Sequence, residues 1–523
     1  MRDPADGLVP PGTLFGAVVC ATGEGGFNGP GQPENQWWSW ERTGRATPPG
    51  LAGDAWRRPE QVVERAAGAG CELLVLPVEW ARVEPAPGVV DEAALDRYAR
   101  TLSRCADRGM VPMVTLHDLA HPAWLGAEFW LTPGSPERFA HHVARLVDAF
   151  GTSCRHWVTV LQPNVGALAG WVGGHNPPGR VGAVADAWAV LDNLCTAHVL
   201  AYDLLHERQD DPVVTMGMVA PGSYDWHRLP VDVMVAPSLG VARGELDGWV
   251  DDRRRLHDDE LPPASLADLT ARRLAALWSP YGRTGRGVRA RFRQRRVAAS
   301  PRRLLDAVYG RPARAPLDGL VMVWAPGSSA RSARPDALGQ LGRMAGVAPT
   351  EAGHPAAPWD APTDLDGLGA WCRTLAGAAP GLPLWVHAGL AMPPGAGVRP
   401  DGWDRPAYLR AAVAATVDAV GDGTPIAGFC YRDLGGSVDP AGTGADTGLF
   451  AVTPDPAGDT VVWRDVDGAG APAGETFRRL IAAVRAGDRP AVWGGAPGAD
   501  GAAGPPPGAR PQVPARRVTA GGG

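Results

Sequence analysis

Nine polar side chains stand at or just after the ends of short apolar runs, where a parallel sheet would gather them at one edge: Glu24, Glu79, Asp118, His121, Gln162, Asn164, His387, Arg432 and Asp433. Histidine titrates near neutrality and a carboxylate can orient it, so His387 beside Asp118 or Asp433 has the composition of an acid/base pair. The same residues could equally satisfy one another in a polar pocket. Glu79 follows an apolar run and precedes Trp80, which suits a structural hydrogen bond better than catalysis. His117, Asp118 and His121 could in principle ligate a metal, but their spacing on a loop matches no specific metal motif, and no metal or other cofactor is expected.

The elements that would position these groups are legible as hydrophobic periodicity. Apolar runs at 13–20, 72–78, 111–116, 156–161, 213–219, 319–324, 382–387 and 426–431 read as strands, and 59–69, 92–109 and 136–150 carry helical spacing. Eight strands separated by helices predict an α/β fold, a closed (β/α)8 TIM barrel, with catalytic or binding residues at the C-terminal strand ends. Residues 1–493 are read as one barrel domain. An arginine-rich excursion at about 223–316 is read as solvated helices, and the Gly, Pro and Ala-rich stretch 494–523 as a disordered tail.

Bulk composition narrows the function classes. A net charge of -6 over 523 residues gives no global reason to bind nucleic acid or an anionic membrane. All 50 basic residues are arginine, which removes every mechanism that needs a lysine Schiff base. The seven cysteines form no C-x-x-C pair and indicate neither a disulfide framework nor a zinc ribbon. With no leader-like N-terminus and no run of about 18 apolar residues, a soluble cytoplasmic protein is expected.

Several segments then resemble the retaining β-glycosidases of glycoside hydrolase family 1. Val-Glu-Trp-Ala-Arg-Val-Glu-Pro at 78–85 is similar to the strand-2 signature ending in Trp-Ser-Arg-Ile-x-Pro, and Thr-Leu-His-Asp-Leu-Ala-His-Pro at 115–122 to the strand-3 segment. Trp-Val-Thr-Val-Leu-Gln-Pro at 157–163 resembles the strand that ends in Asn-Glu-Pro. Trp171 to Arg180, Tyr408-Leu409 and the stretch 422–429 complete the order, so the resemblance covers about Phe15 to Val452.

The resemblance implies two catalytic glutamates, and neither is present. Such enzymes place two carboxyl groups roughly 5 Å apart, one nucleophile and one acid/base. Gln162 stands at the acid/base position, and a carboxamide cannot deliver a proton at neutral pH. The nucleophile segment aligns with 384–390, where Ala388 takes the glutamate position between His387 and Gly389. Other implied sugar contacts have changed as well. Val75 replaces an arginine, Gly23 a glutamine, Asp118 a histidine, Leu161 an asparagine and Arg432 a tryptophan, while Asp439-Pro440 replaces Glu-Trp.

The expected function is therefore that of a pseudoglycosidase. It would not be competent for standard retaining hydrolysis but would bind a small molecule, a sugar or glycoside among the candidates, at the barrel mouth. The candidate binding residues are Gln162, Asn164, Asp118, His121, Trp324, His387, Arg432 and Asp439, with Trp324 as a stacking platform. Two alternatives remain open: a rebuilt enzyme using His387, Asp118 or Asp433, and a residual β-glycosidase with displaced carboxylates such as Asp433 or Glu24.

Overall fold

A computed structural model describes residues 7–20, 31–47, 50–219, 223–260, 266–282, 303–324, 363–436, 446–456 and 460–494. Eight parallel strands close into a barrel in sequence order: β1 (Leu14–Val18), β2 (Leu73–Pro77), β3 (Val111–Thr115), β4 (His156–Leu161), β5 (Val213–Val219), β6 (Gly319–Trp324), β7 (Leu384–Ala388) and β8 (Ile426–Arg432). The predicted (β/α)8 fold is thus the observed one, and each predicted strand is present with ends shifted by two residues or fewer.

Strand alternation sorts the apolar residues into two cores. Val18, Cys20, Leu73, Val75, Met113, Val158, Val321, Val323, Trp385 and Cys430 pack inside the barrel. Their sequence neighbours, among them Leu74, Val114, Met322, Val386 and Phe429, pack outward against helices. Gly16 is demanded by this geometry, since a Cβ there would lie 2.0 Å from the carbonyl oxygen of Leu73.

The helices form by familiar local rules. α1 (Trp37–Arg42), α2 (Pro59–Gly68) and the short α3 (Trp80–Val83) precede α4 (Glu92–Asp107), which Asp91 caps by accepting from the Ala94 N–H at 3.0 Å. Its buried residues Leu95, Tyr98, Leu102 and Cys105 recur at helical spacing and face the sheet. α5 (Ser135–Phe150) and α6 (Pro163–Trp171) each carry proline in the first turn, and α7 (Val184–Arg208) runs beside both.

Among its described residues the arginine-rich excursion carries α8 (Tyr224–His227), α9 (Leu229–Val235), α10 (Leu246–Glu260), α11 (Leu266–Trp278) and α12 (Arg303–Tyr309). Its arginines, however, are not all on solvated faces. Arg228, Arg254 and Arg272 are buried, and they pair with Asp232, Asp225 and Asp258 respectively. The acidic residues interspersed in the same stretch supply partners that a charge-run reading overlooks. The C-terminal part adds α13 (Leu365–Ala378), α14 (Arg405–Gly421), an unpredicted hairpin of β9 (Val452–Pro454) and β10 (Val461–Trp463), then α15 (Ala473–Ala486) and α16 (Arg489–Trp493). The tail assigned to 494–523 lies outside the described residues beyond Gly494.

Candidate functional site

The end of β4 is shaped by an irregularity in its pairing with β5. The register runs Val158↔Thr215 and then Leu161↔Gly217, so one residue more is spent on β4 than on its neighbour. The bulge turns Leu161 into the barrel beside Val158. Gly217 makes room for it, because a Cβ there would lie 2.3 Å from Leu161 Cδ1. Gln162 follows with φ +60° and ψ +42°, a left-handed conformation costly for a side chain with a Cβ. Its backbone N–H donates to Gly217 O at 3.0 Å, Pro163 starts α6, and its carboxamide Nε2 donates to Asp118 Oδ1 at 3.1 Å.

Asp118 belongs to a polar cluster at the C-terminal ends of β1, β3 and β8. Arg432 Nε donates to the Cys20 sulfur at 3.0 Å, the Cys20 thiol donates to Asp433 Oδ1, and Thr447 Oγ1 donates to Asp433 Oδ2 at 2.7 Å. Burial raises the Asp118 carboxyl above its usual range; Arg432 and Gln162 pull it down, and Asp433 pushes it up. Burial also opposes the charge on Arg432, but Cys20, Asp118 and Asp433 outweigh it and hold its proton more firmly than usual. Cys20 is pushed well up, first by burial. A neutral thiol and a fixed guanidinium are therefore set between two carboxyl groups.

Glu79 borders the same region. Burial carries its carboxyl up to about 7, against the pull of Arg82, the Ala81 N–H and Asn35 and with a small push from Asp118. It caps α3 by accepting from the Ala81 N–H at 3.4 Å, the structural hydrogen bond expected for it.

The structure revises several of the predicted site residues. Register pairs His387 with Val323 and Cys430, both inside the barrel, and Ala388 with Trp324 and Tyr431, both in the outer core. His387 is thus the inward residue at the end of β7, and Ala388 faces the helices. Neither ring nitrogen of His387 has a hydrogen-bond partner, so the expected pair with Asp118 or Asp433 is not formed. Burial, assisted by Arg432, holds its imidazole down to about 3 and keeps it neutral.

Trp324 is no stacking platform. It is 1% exposed and packs outward, 3.0 Å from where a Cβ on Gly367 of α13 would stand. Asn164 spends its amide on β5, donating to Val219 O at 2.9 Å and accepting from the Val219 N–H at 3.3 Å, and so fixes α6 rather than facing a ligand. His121 Nε2 contacts Gly126 O at 3.0 Å, away from the Asp118 cluster. Asp439 and Glu24 lie outside the described residues. Among the described residues no cluster of three or more histidine, cysteine or acidic side chains could hold a metal.

Cys20 was a participant that sequence reasoning passed over. The available signal for Cys20 was alternation, since Gly16, Val18 and Cys20 share the inner face of β1 and its extension. Glu79 was named for its hydrogen bond, but no local pattern foretold that burial would carry its carboxyl up to about 7.

Comparison with known proteins places this geometry in context. Residues 6–239 match the model of glycosyl hydrolase family 1. Beta-glucosidase 40 of Arabidopsis thaliana is 29% identical over 189 residues, 34% of this chain and 36% of that protein. The 6-phospho-beta-galactosidase 1 of Streptococcus pneumoniae is 27% identical over 197 residues, 37% and 42% of the two chains. The alignable region thus spans about two fifths of the length of these curated relatives. Among solved structures, a beta-glucosidase from Thermotoga maritima in complex with deoxynojirimycin superposes with a TM-score of 0.64 at 16% identity, covering 90% of this chain and 98% of that one. The AHE enzyme from Alicyclobacillus herbarius gives 0.67 at 18% identity, covering 91% and 98%. At these identities the likeness extends to the fold. No described helix is long and apolar enough to cross a membrane.

Proposed function

We propose that the whole chain is a glycosyl hydrolase family 1 barrel that has lost the family's double displacement and retains its mouth as a binding site for a neutral sugar, glycoside or related small molecule. One observation carries this reading: the residues closing β4 and facing inward from β7 are Gln162 and His387, so neither strand end supplies a carboxyl group. Retaining hydrolysis needs a nucleophile and an acid/base about 5 Å apart. Of the nearby carboxyl groups, Asp433 has both oxygens engaged by Cys20 and Thr447, and Asp118 is tied to Gln162. Residual glycosidase chemistry through displaced carboxylates therefore has little to draw on. That a structural neighbour binds deoxynojirimycin supports a sugar-like ligand here.

The Cys20–Arg432–Asp433–Asp118 cluster, half of it buried, favours a second reading, a rebuilt enzyme on another substrate. Perturbed groups gathered at strand ends are the usual mark of chemistry, and Glu79 at about 7 is the carboxyl best placed to exchange a proton near neutrality. We place the protein in the cytoplasm, since all seven cysteines are free and buried.

A thermal-shift screen with monosaccharides, aryl glycosides and glycosylated metabolites tests the binding claim. A ligand at a hundred times its Kd should stabilise the fold by about 2.7 kcal/mol. Stabilisation without consumption of the ligand supports the pseudoglycosidase, consumption supports the rebuilt enzyme, and silence across the screen contradicts both.

A further inference from the structure

Two members of the polar cluster keep hydrogen-bonding capacity that the cluster does not use. Alternation from Cys430 turns Arg432 into the barrel mouth, where its side chain is 25% exposed. It spends Nε on the Cys20 sulfur at 3.0 Å, and its two Nη groups have no hydrogen-bond partner among the described residues. Asp118 is partly exposed as well. One of its oxygens, Oδ1, accepts from Gln162 at 3.1 Å, and Oδ2 has no partner among the described residues.

These open groups stand apart. β1 and β2 separate β3 from β8 in the barrel, so Asp118, just after β3, and Arg432, the last residue of β8, lie across part of the mouth from each other. Each acts on the other's charge, yet no ion pair joins them. Asp433 adds its charge 3.8 Å from Arg432 Nε, while Cys20 and Thr447 occupy its two oxygens. The cluster therefore sets two carboxyl groups against one guanidinium, with a free donor pair on one side and a free acceptor on the other.

We infer that Arg432 and Asp118 set the specificity of the mouth for an uncharged ligand whose neighbouring hydroxyl groups join them, accepting from Arg432 Nη and donating to Asp118 Oδ2. A guanidinium fork by itself suits a carboxylate or phosphate. Here such a group would meet Asp118 and Asp433 beside the arginine, and it has no proton to give Oδ2. A hydroxyl both accepts and donates and brings no charge. Phosphorylated and carboxylated sugars are thus turned away in spite of the arginine. The inference rests on the reading of the mouth as a site for a sugar or glycoside and names the residues that choose among such ligands.

Isothermal titration of the full chain tests it with the methyl β-glycosides of glucose, galactose and mannose, each beside its 6-phosphate and its 6-carboxylate. At least one uncharged glycoside should bind, with both anionic forms at least about tenfold weaker. Arg432→Met should weaken the uncharged glycoside about tenfold. Asp118→Asn should narrow the gap between the uncharged and anionic forms at least about threefold, because it removes a repelling charge; a gap caused by the size of the added group would not move. If Arg432→Met does not fold, the wild-type comparison and Asp118→Asn still decide. Anionic forms that bind as tightly as the parent, an unchanged gap in Asp118→Asn, or undiminished binding by folded Arg432→Met would overturn this inference alone. Binding of none of the uncharged glycosides would overturn the sugar-site reading and this inference with it.

Discussion

At the level of single residues, the site turns on which face of a strand a side chain takes. Alternation alone places His387 inward and both Ala388 and Trp324 outward. Matching by motif instead put Ala388 in the nucleophile position and Trp324 in the mouth, because a motif aligns letters without regard to the pleat. Gln162 stood out in the sequence as a carboxamide where the resemblance implies a carboxyl group, but its left-handed backbone and its bond to Asp118 were not legible, since both follow from a bulge that depends on Gly217 in another strand.

Two predictions belong at this scale. Gln162→Glu should restore no measurable release from aryl β-glycosides, because His387 still leaves β7 without a nucleophile; turnover above the wild-type level would refute this. His387→Leu, of similar volume, removes two buried nitrogens that have no partner and should stabilise the fold by about 1–2 kcal/mol in urea denaturation. A loss of stability would show that the imidazole has a partner after all.

At the level of elements, the helical periods were read correctly where one apolar face meets the sheet, as in α4. Buried charges were harder to foresee, because their partners are distant in sequence. Glu84, fully buried just after α3, pairs with Arg138 and Arg145 of α5, the second at 2.9 Å, and so joins two helices across 54 and 61 residues of chain. Both arginines remain 30% exposed, so water can share the charges left behind. Glu84→Gln should therefore cost about 2–3 kcal/mol, at the lower end for breaking a buried pair, and equilibrium unfolding of the variant measures it. A cost below about 0.5 kcal/mol would show that the pair behaves as a surface contact.

At the level of the whole molecule, the barrel and its strand order were legible because eight apolar runs alternate with helical periods. The identity of the inner and outer layers required the closed register. Burial of ionisable groups gives the protein a predictable acid response. His117, His121, His142, His156, His198, His227 and His387 all have folded-state values pushed down, chiefly by burial. Below about pH 6.5 the unfolded chain binds protons that the folded one refuses, so each histidine removes up to about 1.4 kcal/mol per pH unit as pH falls toward its folded value. Glu79, Asp118, Asp192 and Asp225 are raised and act oppositely, losing stability as pH rises through the range above the ordinary carboxylate values. Seven groups outweigh four, so calorimetry should show the unfolding temperature falling between pH 6.5 and 5, and a rise over that interval would contradict the burial described here.

The central proposal is that this barrel shares the fold of the family 1 glycosidases but lacks their nucleophile. A 2,4-dinitrophenyl β-glycoside tests it most directly, because so good a leaving group needs no acid catalyst and leaves nucleophilic attack as the only demand on the protein. We predict no burst of dinitrophenolate, no turnover above the buffer rate between pH 5 and 8, and no glycosyl adduct by intact-protein mass spectrometry. A burst stoichiometric with protein, accompanied by a covalent glycosyl adduct, would contradict the account.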